Sequence, residues 1–294
     1  MSYTIVGCGY TGARLAARCR RGGEDVIALV RTGASREALE DRGIRTHRLN
    51  LDEAVAGRLP AGFTGDRRVI YMVPPGGPGG QDERMTRFLT AMTGRPRVIV
   101  YLSTSGVYGD HRGATVNEDT PPAPGADRSR RRLDAERQVG HWGDEHGVTT
   151  RILRVPGIYG PGRLPLERIR RGEPSLAPDP ARPGNRIHVD DLVGVCLAAC
   201  DYAGPHRIFN VGDGDDTDTG TFNRILAREA GLAPPPALTL AEMMAKASPM
   251  GREFLSESRR LDVRRMREDL RYEPQYRNPV AGIRACLNEE SETS

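Results

Sequence analysis

Three glycines near the amino terminus, in the stretch YTIVGCGYTG at residues 3–12, have the spacing of a phosphate-binding turn. An apolar run precedes Gly7 and an Ala/Leu/Arg-rich run follows Gly12, so the pattern predicts a strand, a tight turn and a helix. We expect Gly7 to form the turn, Gly9 to let a phosphate approach the backbone, and Gly12 to let the helix pack on the strand. The first N–H groups of the helix would then face the phosphate. A second strand predicted at 26–30 completes a βαβ unit, which favours a dinucleotide site over a purely structural glycine turn.

The residues after this second strand bear on which dinucleotide binds. Arg31 ends the strand, and no acidic residue lies between Val26 and Arg36. An acidic side chain here would hold the ribose 2′-hydroxyl of NAD, whereas an arginine can bind the 2′-phosphate of NADP through two hydrogen bonds. The pattern therefore favours NADP over NAD. The alternative is that Arg31 is an ordinary solvated surface residue. The chain is rich in arginine and has a single lysine, Lys246, so an arginine at one position carries little information.

Hydroxyl-bearing residues follow the fifth predicted strand, 97–102. Ser103 and Thr104 can hydrogen-bond a substrate or cofactor, and they can equally cap a neighbouring helix; the spacing leaves both alternatives open. Loops rich in proline and glycine, at 74–80 and 156–162, follow the fourth and sixth predicted strands. Such loops lie at the carboxyl ends of parallel strands, where open α/β sheets bind ligands.

The second half of the chain carries further titratable residues. For His188, which precedes an apolar helix, a structural role is favoured over a catalytic one. Asp190 or Asp191 is placed as the N-cap or as a first-turn acid of that helix. The aspartates of 213–218 lack the spacing of a calcium loop, so they predict a solvated turn and a helix cap. A cluster of arginines would bind an anionic substrate if two or more of them face it, and is otherwise a solvated loop; its members are Arg163, Arg168, Arg170, Arg171, Arg182 and Arg186.

Composition narrows the class of protein. The chain has 294 residues and a net charge of +4, which does not suggest a nucleic-acid-binding surface. Its five cysteines form no CxxC pair and indicate reduced thiols in a cytoplasmic protein with no bound metal. No apolar run reaches membrane-spanning length. We therefore expect a small-molecule substrate and no nucleic-acid or membrane partner; a homodimer is one alternative for its assembly.

Five stretches together resemble the short-chain dehydrogenase/reductase superfamily, in its extended or atypical NAD-dependent epimerase/dehydratase branch. They are GCGYTG at 7–12, STSGVYG at 103–109, RVPGIYGPGR at 154–163, RIHVDDL at 186–192 and FNVGD at 209–213. The resemblance implies an α/β fold, a doubly wound parallel Rossmann sheet with a smaller C-terminal substrate-binding region. The NAD(P)-binding Rossmann domain would comprise 1–158 plus about 186–211, and the substrate-binding region about 159–185 and 212–294.

The resemblance also implies site residues. Thr104 occupies the position of the family's catalytic Ser/Thr, and Asn50 falls where the family usually has an Asp that contacts adenine. The cofactor-binding residues expected from the motifs are Gly7, Gly9, Tyr10, Thr11, Gly12, Arg31, Thr32, Asn50, Leu51, Val73, Pro74, Pro75, Ser103, Arg132, Val155, Pro156 and Gly157.

The chain departs from the family at its Tyr-x-x-x-Lys pair, where alignment places Arg128 and Arg132. Arg132 can still hydrogen-bond a ribose, but arginine cannot exchange a proton at neutral pH as the tyrosine does. One hypothesis is an atypical oxidoreductase or epimerase in which Tyr108, Tyr159 or His188 relays the proton. The other is a catalytically silent NAD(P)-binding sensor or scaffold.

Overall fold

The computed structural model of the chain describes residues 1–53 and 59–292. Within these residues the strands are β1 (Ser2–Val6), β2 (Asp25–Val30), β3 (Arg45–Arg48), β4 (Arg68–Tyr71), β5 (Val98–Thr104), β6 (Thr115–Val116), β7 (Thr149–Val155), β8 (Gly157–Tyr159), β9 (Ser175–Leu176), β10 (Arg186–His188), β11 (Ile208–Asn210), β12 (Ala237–Leu238) and β13 (Arg260–Leu261). The helices are α1 (Tyr10–Arg21), α2 (Gly33–Glu40), α3 (Glu83–Ala91), α4 (Asp127–His146), α5 (Leu166–Arg170), α6 (Val189–Asp201), α7 (Thr219–Glu229), α8 (Leu240–Lys246), α9 (Pro249–Ser256), α10 (Arg264–Glu268) and α11 (Pro279–Glu292). A 3₁₀ turn, Ser105–Tyr108, follows β5.

Seven parallel strands form the central sheet in the order β11-β7-β5-β4-β1-β2-β3. β1 pairs with β2 on one side and with β4 on the other, so the direction of winding reverses between β1 and β4. A reversal of this kind opens a crevice at the carboxyl ends of the strands, where doubly wound proteins bind ligands. The predicted α/β fold with a doubly wound Rossmann sheet is confirmed.

The local sequence explains the elements around this reversal. β1 and β2 are short runs of mostly apolar, β-branched residues and are buried along nearly their whole length, as strands covered on both faces are. α1 packs Leu15, Ala16 and Cys19 inward and carries its arginines on the other side. α3 begins after Asp82, whose carboxylate accepts hydrogen bonds from the N–H groups of Arg84 and Met85.

The chain divides into two compact units, of which the first comprises 1–107, 127–154 and 193–209. Its core includes Val6, Leu29, Tyr71 and Tyr101. The second unit comprises 108–126, 155–192 and 210–294, and its core includes Tyr159, Phe222, Ile283 and Cys286. Residues 108–126, assigned from sequence to the Rossmann domain, lie in this second unit.

Two strands end at different residues from those predicted. β4 stops at Tyr71, so Val73 belongs to the following loop, where Pro74 and Pro75 lack the N–H that a strand would need. β5 continues through Ser103 to Thr104. Ser103 is buried there because its hydroxyl has a partner inside the protein.

Candidate functional site

The glycine turn between β1 and α1 leaves room for a ligand at one position and allows close packing at two others. Gly7 has φ +87°, and a Cβ there would lie 2.8 Å from the Val73 side chain and 2.9 Å from its backbone nitrogen. A Cβ on Gly12 would lie 3.1 Å from the carbonyl oxygen of Gly7. At Gly9, by contrast, a Cβ would meet no atom within 4 Å. The backbone of Gly9 is therefore accessible to a group such as a phosphate.

The start of α1 supplies hydrogen-bond donors at this turn. The helix begins at Tyr10, and its N-cap residue, Gly9, has no side chain to accept from the first-turn N–H groups. The backbone N–H groups of the first turn, which includes Thr11 and Gly12, find no carbonyl acceptor within an α-helix. Together with the positive end of the helix dipole, they favour an anion. The arrangement fits the pyrophosphate of a dinucleotide.

Arg31, the residue on which the NADP prediction depends, has an acidic partner. Its guanidinium Nη1 lies 3.2 Å from a carboxylate oxygen of Asp52, which follows β3. Asp52 also accepts from Nε of Arg84 at 2.6 Å, and these two arginines lower the pKa of its carboxyl, Arg84 more than Arg31. The sequence next to Arg31 has no acidic residue, but the fold brings Asp52 to it from the turn after β3. Thr32 caps α2 by accepting from the N–H of Ser35 at 3.2 Å.

The other residues predicted to bind the cofactor near its adenine differ in exposure. Asn50 is half-buried; its side-chain oxygen accepts from the N–H of Asp52 at 3.1 Å and its amide donates to Glu53 at 2.6 Å. Leu51 is buried in the core of the first unit, so only its backbone can contact a ligand. In the loop after β4, Val73 packs against Gly7, while the carbonyl of Pro74 accepts from Nη1 of Arg84 at 2.7 Å. The half-buried Pro75 follows in the same loop.

Ser103 and Thr104 have different surroundings at the end of β5. The Ser103 hydroxyl donates to Glu136, whose carboxylate forms a buried ion pair with Arg154 at 2.8 Å. Thr104 is half-buried, and its hydroxyl oxygen accepts from the N–H of Gly106 at 3.2 Å. Its hydroxyl hydrogen can thus be donated elsewhere, since a hydroxyl both donates and accepts. Thr104 fits a ligand-binding role, whereas Ser103 holds α4 against the sheet.

α4 carries the two residues aligned with the family's Tyr-x-x-x-Lys pair. Arg128 is exposed. Arg132 is half-buried, and its Nη1 donates to the carbonyl of Leu102 at 2.6 Å, with the Tyr101 hydroxyl at 3.4 Å. Arg132 therefore fixes the end of β5 next to Thr104. Sequence reasoning did not single out the neighbouring Ser129, which is buried and whose hydroxyl faces Gly106.

In the second unit, the three residues predicted to relay a proton are buried. Tyr108 donates to the side-chain oxygen of Asn210 at 2.7 Å. Tyr159 packs edge-on against the rings of His188 and Phe222, and burial raises the pKa of its hydroxyl far above the usual value. His188 accepts at Nδ1 from the N–H of Asp190 at 3.2 Å. This placement supports packing roles, so the relay hypothesis gains no support from the structure.

The remaining cofactor residues predicted from the motifs also lie in the second unit. Val155 ends β7 and is buried, Pro156 is half-buried, and Gly157 is exposed and begins β8. β8 pairs in parallel with β10, which places Gly157 opposite Arg186. Only Gly157 of these three has a largely accessible surface.

Of two predictions about charged residues of the second unit, one is partly wrong and the other is confirmed. Asp213 is buried rather than solvated, and burial raises the pKa of its carboxyl to about 7; Asp218 caps α7 as expected. Asp190 and Asp191 lie in the first turn of α6, as predicted. The carboxylate of Asp191 accepts from the Tyr272 hydroxyl and from the N–H groups of Gln275 and Tyr276.

The arginine cluster proposed for an anionic substrate contacts the protein itself. Arg168 and Arg171 pair with Glu173, at 2.8 and 2.7 Å. Arg186 is buried, with its guanidinium 4.4 Å from the centre of the Phe222 ring. These contacts favour the structural interpretation of the cluster.

Comparisons with known proteins support the assignment of this fold. Residues 82–212 match the model of the NAD dependent epimerase/dehydratase family. Protein YeeZ of Escherichia coli K12 is 29% identical over 239 residues, which are 79% of this chain and 84% of YeeZ. The chain is thus similar to this family over residues 82–212.

Two solved structures share the fold over nearly the whole chain. A conserved protein of unknown function from Silicibacter pomeroyi DSS is 29% identical, with a TM-score of 0.80 and 98% of each chain covered. UDP-glucuronic acid 4-epimerase from Bacillus cereus, solved in complex with NAD, has a TM-score of 0.73 at 17% identity, with 99% of each chain covered. This likeness shows that the two chains share the fold.

Residues 1–53 and 59–292 contain no group of three or more His, Cys, Asp or Glu side chains placed to hold a metal ion. In the same residues, no helix combines the length and the apolar character needed to cross a bilayer.

Proposed function

We propose that the chain binds NAD(P) at the glycine turn and acts as an oxidoreductase or epimerase on a small substrate. The observation that carries this proposal is the open backbone at Gly9 beside the start of α1, with Gly7 and Gly12 in close contact with neighbouring atoms. Bound NAD(P) supplies hydride transfer. The glycine turn holds its pyrophosphate. Arg31 at the end of β2 favours NADP, and its partner Asp52 limits this preference.

Thr104 is the residue that best suits contact with the reacting group. It is half-buried, it lies at the carboxyl end of β5, and the N–H of Gly106 fixes its oxygen so that its hydrogen can be donated to a substrate oxygen. Arg132 positions this strand end through the carbonyl of Leu102. Replacement of the tyrosine by Arg128 removes the usual general acid, and the loss of such a group typically costs about 10²–10⁴-fold in rate. We therefore propose a slow enzyme.

The second candidate is an NAD(P)-binding sensor without turnover. It is favoured by the burial of Tyr108, Tyr159 and His188, which leaves no exposed replacement for the tyrosine among the three predicted relays. The two candidates agree on cofactor binding and differ only in chemistry.

Two experiments test this proposal. Calorimetric titration with NADPH and NADH tests cofactor binding, and failure of the protein to bind either would remove both candidates. Turnover is then measured on aldehydes, ketones and nucleotide-sugars, with the wild type and a variant carrying Arg128→Tyr and Arg132→Lys. A measurable wild-type rate that rises in the variant supports the enzyme. Binding without turnover in both proteins supports the sensor.

A further inference from the structure

Three charged side chains meet at the carboxyl edge of the sheet, in the first unit. Arg31 directly follows β2, Asp52 follows β3, and Arg84 lies on α3 beyond the loop after β4. β2 and β4 pair in parallel with β1, and β3 pairs in parallel with β2, so their carboxyl ends share one edge with the glycine turn. We refer to Arg31, Asp52 and Arg84 as the charged triad.

The carboxylate of Asp52 lies between the two guanidinium groups. One of its oxygens accepts from Arg84 Nε at 2.6 Å, and the other lies 3.2 Å from Arg31 Nη1. The Arg84 guanidinium is also positioned by the backbone, because it donates to the carbonyl of Pro74 at 2.7 Å. The triad is therefore an anion site that is occupied by a side chain of the same protein.

The exposures show that this occupant can be displaced or contacted. Arg31 is 63% exposed and Asp52 is 40% exposed, whereas Arg84 is 17% exposed. A ligand arriving at the end of β2 can thus reach the carboxylate and one guanidinium directly. A carboxylate accepts hydrogen bonds from ribose hydroxyls but repels a phosphate, while a guanidinium attracts the phosphate.

We propose that Asp52 acts as an internal substitute for the cofactor's 2′-phosphate and sets the balance between NADP and NAD. This inference depends on the proposed binding of NAD(P) at the glycine turn. In the wild type, Asp52 neutralises Arg31 and Arg84 and can accept from a 2′-hydroxyl, which limits the preference for NADP. Removal of its charge frees two arginines for the 2′-phosphate.

The test compares affinities for NADPH and NADH by isothermal titration calorimetry. Asp52→Asn keeps the shape of the side chain and should raise the ratio of NADPH to NADH affinity at least about tenfold, the size of one charge-assisted hydrogen bond. Arg31→Ala should lower the same ratio, because it removes the exposed guanidinium.

Asp66→Asn is the matched control. Asp66 forms an exposed ion pair with Arg97 at 2.7 Å and lies at the amino end of β4, away from the carboxyl edge of the sheet. Its substitution should leave the ratio of NADPH to NADH affinity unchanged. Circular dichroism checks that each variant is folded.

The outcomes separate this inference from the proposed function. If the wild type binds both dinucleotides and Asp52→Asn leaves the affinity ratio unchanged, the role of Asp52 is refuted while cofactor binding stands. An equal rise of the ratio in Asp66→Asn also refutes it, because a general charge effect would then explain the change. If the wild type binds neither dinucleotide, the proposed function fails first and the role of Asp52 with it.

Discussion

Replacement of Asp213 by asparagine should change how the free energy of unfolding depends on pH. Burial raises the pKa of this carboxyl from 3.8 to about 7, against the opposing effects of the Asp215 N–H and the Arg186 guanidinium. Between these two values the folded chain holds a proton that the unfolded chain releases. The contribution of Asp213 to stability is therefore fully present below pH 3.8 and is lost as the pH rises through about 7.

The magnitude follows from the size of the shift. At 1.36 kcal/mol per pKa unit, a rise from 3.8 to about 7 corresponds to about 4 kcal/mol of stability lost between pH 4 and pH 8. Asp213→Asn cannot ionise and does not lose this amount. Relative to the wild type, the variant should gain up to about 4 kcal/mol over the same pH range.

Urea unfolding of both proteins, followed by circular dichroism from pH 4 to pH 8, measures the difference in their free energies of unfolding. The contributions of all other titrating groups cancel in this difference. Asp218→Asn, in the same turn, is a control for which the dependence of stability on pH should change in the opposite direction. Burial raises the pKa of Asp218, but its hydrogen bonds from Thr221 lower it more, so its contribution is lost as the pH falls. A stability difference between wild type and Asp213→Asn that stays constant with pH would refute the reasoning.

Four further substitutions, one of them a control, test the packing around the proposed sites by urea unfolding. Glu136→Gln breaks the buried ion pair with Arg154 and should cost about 3–5 kcal/mol; Asp144→Asn, which breaks an exposed pair with Arg207, should cost less than about 1 kcal/mol, and equal losses would contradict the burial argument. Asp191→Asn weakens three hydrogen bonds to residues 272–276 and should lower stability by about 1.5–3 kcal/mol and expose that segment to protease; unchanged cleavage would count against this contact. Gly7→Ala should cost at least about 1 kcal/mol, since φ is +87° there and a Cβ would overlap neighbouring atoms; full stability would show that the turn can rearrange.

The glycine turn could be read from the sequence because its geometry is local. Gly7, Gly9 and Gly12 lie within one strand–turn–helix unit, and each has the surroundings that its position in the motif requires. The Rossmann sheet was predictable for a similar reason, since short apolar strands alternate with amphipathic helices. The ends of β4 and β5 were predicted less accurately, because β4 stops before two prolines and β5 continues through the buried Ser103.

The sequence could not show which charged groups meet across the fold. Asp52 is separated from Arg31 by a helix and a strand, so the preference for NADP was inferred without the acidic partner. Asp213 looked like part of a solvated turn because its aspartate neighbours are polar, yet packing within the second unit buries it. Side-chain burial of this kind depends on tertiary contacts rather than on spacing.

The most direct test of the central claim, that the glycine turn binds the pyrophosphate of NAD(P), is a calorimetric titration of Gly9→Ala. A Cβ at this position meets no protein atom within 4 Å, so the variant should fold like the wild type while its methyl group occupies the space of the phosphate. Gly33→Ala, at another open glycine, is the matched control. Gly9→Ala should lose at least about tenfold in NADPH and NADH affinity, whereas Gly33→Ala should lose none. Unchanged affinity in a folded Gly9→Ala variant would contradict binding of the pyrophosphate at the glycine turn.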